Sequence, residues 1–243
     1  MKTLSRTLSA LVLTLVGGLS AAHAGIQIVG TRVIYPASHR EVTVQVTNKG
    51  DVPRLIQSWT DSGNPEESPE TSKAPFLITP PISRIDPGKG QALRLMFTGA
   101  QLPQDRESVF YLNVLEIPPA PKADQDSNYL QFAVRTRIKI FYRPTTLQGS
   151  PEASVDQLGW RMVRQGDKLA VECTNATPYN VSMTYVRLKD AKDPTKVGDN
   201  GGMCPAMGRQ TFPLENGADS GRIVFHYIND YGATVEHEAA YTR

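Results

Sequence analysis

The stretch Leu130-Gln-Phe-Ala-Val-Arg-Thr-Arg-Ile-Lys-Ile-Phe-Tyr142 decides how the rest of the chain is read. Leu130, Phe132, Val134, Ile138, Ile140 and Tyr142 share one parity, interrupted by the polar Thr136. Gln131, Arg135, Arg137 and Lys139 share the other. Successive side chains of a strand point to opposite faces, so this is one β-strand with an apolar face and a basic face. At ~3.3 Å per residue it extends about 40 Å, roughly twice a common strand and longer than a small sandwich covers. Something outside the domain has to cover the remainder.

Upstream, short β-rich runs are separated by turn residues. Gly25 to Tyr35 is β-rich, Val42, Val44 and Val46 alternate, and Leu55 to Thr60 carries Trp59. Asp61 to Ser72 is acidic and aperiodic, the pattern of an exposed loop. Phe76 to Thr79 runs into Pro80-Pro81, a candidate cis peptide site, then Gln91 to Phe97 and Val109 to Ile117 follow as strands. Downstream, Arg143 to Pro151 changes composition abruptly and reads as a linker. Strand-like runs resume around Trp160 and at Leu169–Thr174, Val181–Leu188, Ile223–Ile228 and Thr234–Tyr241, with a polar loop at Lys189–Gly202. The 18 prolines and 19 glycines fit such a pattern, and the fold class is all-β: two immunoglobulin-type sandwiches. The expected division is a signal peptide at 1–24, one domain at 25–145 and a second at 146–243.

The leader rests on Met1-Lys-Thr-Leu-Ser-Arg6, the apolar run Leu8–Leu19 and the small-x-small site Ala22-His-Ala24. That run is too short to span a bilayer, so the mature chain is expected to be exported and not membrane-embedded. In an oxidising compartment Cys173 and Cys204 are expected to pair. A net charge of +2 makes no case for nucleic acid. The histidines His23, His39, His226 and His237 have no metal-ligand spacing, and no nucleophile elbow or phosphate loop is present. No metal, no cofactor and no catalytic residue is expected, so the protein is not read as an enzyme. Asn175-Ala-Thr177 has the form of a glycosylation sequon but reads as a turn before Pro178.

Leu102-Pro-Gln-Asp-Arg-Glu-Ser-Val-Phe-Tyr-Leu-Asn-Val-Leu-Glu-Ile-Pro-Pro119 resembles the signature of periplasmic pilus-assembly chaperones, the chaperone–usher family. The resemblance continues in Thr31-Arg32, Ile138-Lys-Ile-Phe-Tyr-Arg-Pro144, Asn175-Ala-Thr-Pro-Tyr179 and Tyr227-Ile-Asn-Asp-Tyr-Gly232. It implies two immunoglobulin-like domains in a boomerang arrangement, working in the periplasm. It implies pilus subunits as partners, completed by a strand that the chaperone lends, and an outer-membrane usher as the recipient. On the long strand, Leu130, Phe132 and Val134 become the donor side chains, while Ile138, Ile140 and Tyr142 pack at home. Arg32 and Lys139 become the anchor for the subunit's C-terminal carboxylate. Glu107, Arg143 and Asp230 become an interdomain ion network. Lys139 has the opposite parity to the donors, so its place in a cleft calls for a twist or bend in the strand. The absence of a cysteine pair around Ala120–Tyr129 favours the short-loop class, and the Cys173/Cys204 positions depart from well-known members. An exposed apolar edge also predicts a self-capping homodimer. The competing reading is a pilus subunit or adhesin on the same sandwich. It fits less well, because the apolar-basic strand is internal and no alternating N-terminal extension precedes the first strand.

Overall fold

The computed structural model describes residues 25–119, 131–166, 168–190, 200–214 and 220–242. The leader at 1–24, most of the loop before the long strand, and Leu130 lie outside them. Within the described residues the chain forms two β-sandwiches, each from two sheets.

In the first sandwich, β1 (Ile26–Ile28), β3 (Val42–Asn48), β7 (Gly90–Phe97) and β5 (Phe76–Thr79) form one sheet in the order β1-β3-β7-β5. The facing sheet runs β2-β9-β8-β4-β6, built from β2 (Arg32–Pro36), β9 (Val134–Arg143), β8 (Ser108–Ile117), β4 (Arg54–Asp61) and β6 (Ile82–Ile85). Alternate residues from both sheets meet in a core that includes Tyr35, Val46, Ile56, Leu93, Leu112 and Ile140. Tyr35 is 1% exposed, yet its hydroxyl donates to Arg40 O at 3.0 Å and accepts from Phe97 N at 3.0 Å. A buried phenol left without partners would be costly, so these bonds make the position tolerable.

The stretch Gly25–Tyr35, read from sequence as one strand, is two strands in different sheets. Gly30 takes φ +93°, a conformation that L side chains rarely adopt, and the chain crosses there from one sheet to the other. β1 then pairs antiparallel with β3, whereas β2 pairs parallel with β9. The cis bond sits between Thr79 and Pro80. The long strand also begins later than its alternation predicts, at Val134. Its partner β8 ends at Ile117, the last β8–β9 pair is Glu116 with Val134, and Pro118-Pro119 cannot extend the ladder.

The segment after β9, read as a linker throughout, closes on a short helix, α1 (Pro151–Val155). Ser150 caps it by accepting from Ala153 N at 3.2 Å, and Pro151 takes a first-turn position, where its missing N–H costs nothing. This cap-proline pair was a legible signal.

The second sandwich stacks β10 (Gly159–Gln165), β11 (Lys168–Asn175) and β14 (Gly208–Leu214) on a sheet of order β13-β12-β15-β16. The latter comprises β13 (Gly202–Cys204), β12 (Val181–Leu188), β15 (Gly221–Ile228) and β16 (Thr234–Tyr241). Trp160, Val171, Met183, Phe212, Ile223 and Phe225 centre its separate core. Asn175 is 1% exposed: its side-chain amide donates to Tyr179 O at 2.8 Å, and its Oδ1 accepts from Thr177 N at 2.9 Å. The sequon-like triplet is therefore a buried turn, with no side-chain amide free for modification.

Cys173 on β11 and Cys204 on β13 are bonded, fully buried, and tie the two sheets of this sandwich together across a sequence separation of 31. By chain entropy such a loop contributes about 3–4 kcal/mol. Replacing both cysteines by alanine should destabilise the second sandwich by about that amount, seen as a lower denaturant midpoint, and leave the first unchanged. A single unshifted transition in denaturant titration of the variant would contradict this.

Candidate functional site

The two edges of β9 are used unequally. On one side β8 pairs with it along its whole length, from Ser108 opposite Tyr142 to Glu116 opposite Val134. On the other side β2 begins only at Arg32, opposite Lys139, and covers Lys139 to Arg143. The edge from Val134 to Ile138 therefore has no strand beside it among the described residues. Such an edge presents unpaired N–H and C=O groups, a template for a further strand.

The apolar face changes character along the same strand. Phe132 is 68% exposed and Val134 53%, Ile138 is half-buried, and Ile140 is 0% and Tyr142 6% exposed. The transition has a structural cause. Arg54 Nη1 meets Glu116 Oε1 at 2.9 Å on the inward face, closing the core beside Val134, and beyond that pair no facing strand among the described residues covers the chain. Of the residues read as donors, Phe132 and Val134 stand in solvent and Leu130 lies outside the described residues. Ile138, Ile140 and Tyr142 pack against the first core.

The opposite face of β9 meets the second sandwich. Arg32 and Lys139 are register partners, so their side chains lie next to each other on one face. Arg32 Nη1 donates to Ile228 O at 2.8 Å, its guanidinium lies 5.4 Å from the Phe141 ring centre, and its Nε is buried without a partner. Among the described residues Lys139 Nζ meets only the Ser182 hydroxyl, at 3.0 Å. No carboxylate of the described residues is bonded to either cation. Burial, with Arg32 and then Arg137 nearby, pulls the Lys139 ammonium down from 10.5 to about 8. Burial also lowers Arg32, against the opposing pull of Asp230 and Glu107. Two partly desolvated cations with neutral acceptors form a site short of negative charge, and a carboxylate is the group whose geometry and charge answer both.

The β8–β9 ladder carries no bulge or register shift, so Lys139 reaches the cleft without one. The second sandwich meets the outer face of β9 at Lys139 and Arg143, and opposite parity is itself what turns Lys139 into the cleft while Val134 stays on the inner face.

Glu107, Arg143 and Asp230 come together beside this cleft. Arg143 Nε donates to Glu107 Oε1 at 2.8 Å, and its Nη1 and Nη2 fork onto Asp230 at 2.7 and 3.1 Å. Glu107 Oε2 accepts from Asn180 N at 2.9 Å and Nδ2 at 3.1 Å. Burial works against the Arg143 charge, but Asp230 and Glu107 outweigh it and hold the guanidinium above its ordinary range. The network ties β9 and Glu107, just ahead of β8, to the second sandwich, and partly buried networks of this kind fix geometry more than they stabilise.

The rest of the basic face is not free. Arg137 forks onto Asp61 and lies 3.5 Å over the Tyr111 ring, while Arg135 lies 4.9 Å over Trp59 and donates to Asn113 Oδ1 at 2.9 Å. Burial opposes the Asp61 charge, but Arg137, Asn113 and Gly63 hold that carboxyl below its usual range. Asp61, read as the start of an exposed loop, is 0% exposed and ends β4. The clue was available: two arginines on one strand face need a counter-charge.

Residues 25–148 match the family model described as pili and flagellar-assembly chaperone, PapD N-terminal domain, and residues 153–239 match the pili assembly chaperone PapD, C-terminal domain. The chain is 39% identical over 230 residues to the chaperone protein FimB/FhaD of Bordetella pertussis, covering 90% of this chain and 89% of the relative. It is 41% identical over 225 residues to the probable fimbrial chaperone YadV of Escherichia coli strain K12, covering 90% and 91%. The crystal structure of the YadV chaperone superposes with a TM-score of 0.73 at 38% identity, covering 89% of this chain and all (100%) of that one. A Salmonella enterica structure of the SafA pilin in complex with the SafB chaperone matches with a TM-score of 0.73 at 26% identity, covering 92% and 99%.

Proposed function

This chain belongs to the pili-assembly chaperone family, whose members are chaperones and not enzymes, and we propose that it binds, folds and caps pilus subunits by lending them part of β9. The single observation that carries the proposal is the coincidence, along one stretch of chain, of the unpaired β9 edge, the exposed apolar side chains of Val134 on β9 and Phe132 just before it, and the under-neutralised pair of Lys139 on β9 with Arg32 on β2. The SafA–SafB complex, a pilin held by a chaperone of the same two-sandwich fold, supports pilus subunits as the client.

In this reading a client strand lies along the Val134–Ile138 edge with Phe132 and Val134, and Leu130 beyond them, filling its groove. Its C-terminal carboxylate sits between Arg32 and Lys139. The separation from Phe132 to Lys139 is about 23 Å at ~3.3 Å per residue, enough for seven residues of client. A strand that occupies this edge and ends at Lys139 must run parallel to β9. It would stop where β2 starts, continuing the same edge. The fixed carboxylate sets register, and register decides whether the apolar side chains face the groove.

The remaining parts of the proposal follow the family reading. The domains divide at 145/146, consistent with two separate cores, and Glu107, Arg143 and Asp230 hold their relative angle. The leader sends the chain to the periplasm, the loaded chaperone passes its subunit to an outer-membrane usher, and the free protein caps its own edge as a homodimer. Periplasmic co-expression with a pilus subunit, then purification through the chaperone and identification of bound proteins by mass, tests the core of the proposal. Recovery of the chaperone without any subunit would overturn it.

The depressed Lys139 makes binding pH-dependent. With the free ammonium titrating near 8, a bound carboxylate raises that value, so capture above this pH takes up a proton. Client affinity should be flat below about pH 7.5 and fall above pH 8, by at most about tenfold per unit. The free chaperone behaves in the opposite sense. Its Lys139 sits below the unfolded 10.5, so the unfolded chain binds more protons between about 8 and 10.5, and this contribution to stability rises with pH there. Isothermal titration with a peptide ending in a free carboxylate, set beside thermal melts across the same pH range, would display the two opposite slopes.

A further inference from the structure

The residue that follows the cleavage site read from the sequence is held in a way the client site does not require. Glu116, at the end of β8, is buried and directed inward. Its Oε1 faces Arg54 Nη1 at 2.9 Å, and its Oε2 accepts from Ile26 N at 2.8 Å. Gly25 lies hard against the same group: a Cβ there would stand 2.2 and 2.3 Å from the two carboxylate oxygens, so no other residue fits without displacing them. The Gly25 nitrogen is two bonds from that Cβ position, about 2.5 Å away by standard geometry, which puts it within about 5 Å of the carboxylate. From the other side, Gly25 O accepts from Lys49 N at 2.9 Å and fixes the residue in place.

We infer that Glu116 is the receptor for the chain's own α-ammonium, a ligand that exists only once the leader is cut after Ala24. In the uncut chain the Gly25 nitrogen is a neutral amide with one hydrogen. After cleavage it carries a full charge and three, and an ionised carboxylate has about four acceptor positions, of which Arg54 and Ile26 occupy two. Among the described residues Arg54 is the one charged side chain paired with Glu116, so one carboxylate is shared between two cations at the mouth of the sandwich.

The placement gives the contact a consequence. Glu116 is the register partner of Val134, the first residue of β9, and Ile26 is the first residue of β1. Removal of the leader therefore adds a charged bond to a carboxylate that already holds the start of β1 and stands on β8 opposite the first residue of β9, at the root of the exposed apolar segment. A leader cut one residue early would leave the charge displaced and the lock unmade. The inference rests on the leader reading and is independent of client binding.

The test imposes the N-terminus directly. The chain is prepared with Gly25 as its first residue and, separately, with one alanine ahead of Gly25, each with Glu116 and with Glu116→Gln. The added alanine should lower the thermal midpoint by roughly 4 °C when Glu116 is present and leave it unchanged in the Glu116→Gln chain. Equal losses in both backgrounds, or none in either, overturn the inference. Should Glu116→Gln fail to fold, acylation of the α-amine with an amine reagent decides. The Gly25 amine should react at least tenfold more slowly than that of the extended chain, and equal rates overturn the inference.

Discussion

Replacing Lys139 by methionine should abolish capture of a pilus subunit while leaving the free chaperone at least as stable as before. The two halves of this result come from the same geometry. Among the described residues the ammonium finds one neutral hydroxyl, Ser182 at 3.0 Å, and burial, which disfavours its charge, pulls it down to about 8. A methionine of similar length keeps the packing and removes the buried charge, a change that is often neutral or stabilising. With a client present, the ammonium is half of the carboxylate's anchor. Truncating one member of a buried, hydrogen-bonded charge pair costs about 2–5 kcal/mol, roughly 30-fold or more in affinity. Lys139→Glu should be worse still, because it sets a second carboxylate against the first. Arg32→Ala should also lose capture, but with some loss of stability, since its guanidinium bonds Ile228 O and packs on Phe141. Subunit yield in periplasmic co-expression and thermal melts of the purified variants read the two halves separately. An undiminished yield with Lys139→Met and Lys139→Glu would remove the anchor from the proposal.

The fold was legible where the signal is local. Val42, Val44 and Val46 alternate because β3 lies with one side on a core, and that pattern survives in any context. What stayed hidden depends on pairing. Nothing within Gly25–Tyr35 says that its halves join different sheets, since the choice is made by β3 and β9, distant in sequence. β14 was missed because Pro213 and the polar positions Arg209 and Gln210 disguise it, and an edge strand in a three-stranded sheet tolerates both. The candidate site divides the same way. The two faces of the long strand were visible in its alternation, but the roles of Arg32 and Glu107 came from the resemblance, because a lone cation or carboxylate carries no address. Ser182 and the Ile228 carbonyl had no signal at all. They belong to the site through the packing of the second sandwich on β9.

The sharpest separation along the stretch from Phe132 to Tyr142 is between apolar residues of one sequence parity, buried at one end and exposed at the other. Phe132→Ser should leave the free chaperone's stability unchanged, because a side chain 68% exposed contributes little to its own core. In the client complex the same ring would be buried in the subunit's groove, and losing it should weaken the complex by about 1.5–3 kcal/mol. Ile140→Ala reverses the pattern. Ile140 is 0% exposed between the two sheets, so truncation should destabilise the free chaperone by about 2–5 kcal/mol whether or not a client is present. Gln131→Ala provides the control for position: it lies one residue from Phe132, is exposed and donates only to the Pro118 and Pro119 carbonyls among the described residues, so it should alter neither quantity by more than about 0.5 kcal/mol. Denaturant titrations of each variant, alone and with a bound subunit, give all the midpoints needed. If Phe132→Ser left the midpoint of the complex where it was, the apolar face before Val134 would have no client to fill. The unpaired edge from Val134 to Ile138 would then have to bind through its backbone alone, and backbone bonds without side-chain pockets do not choose between registers.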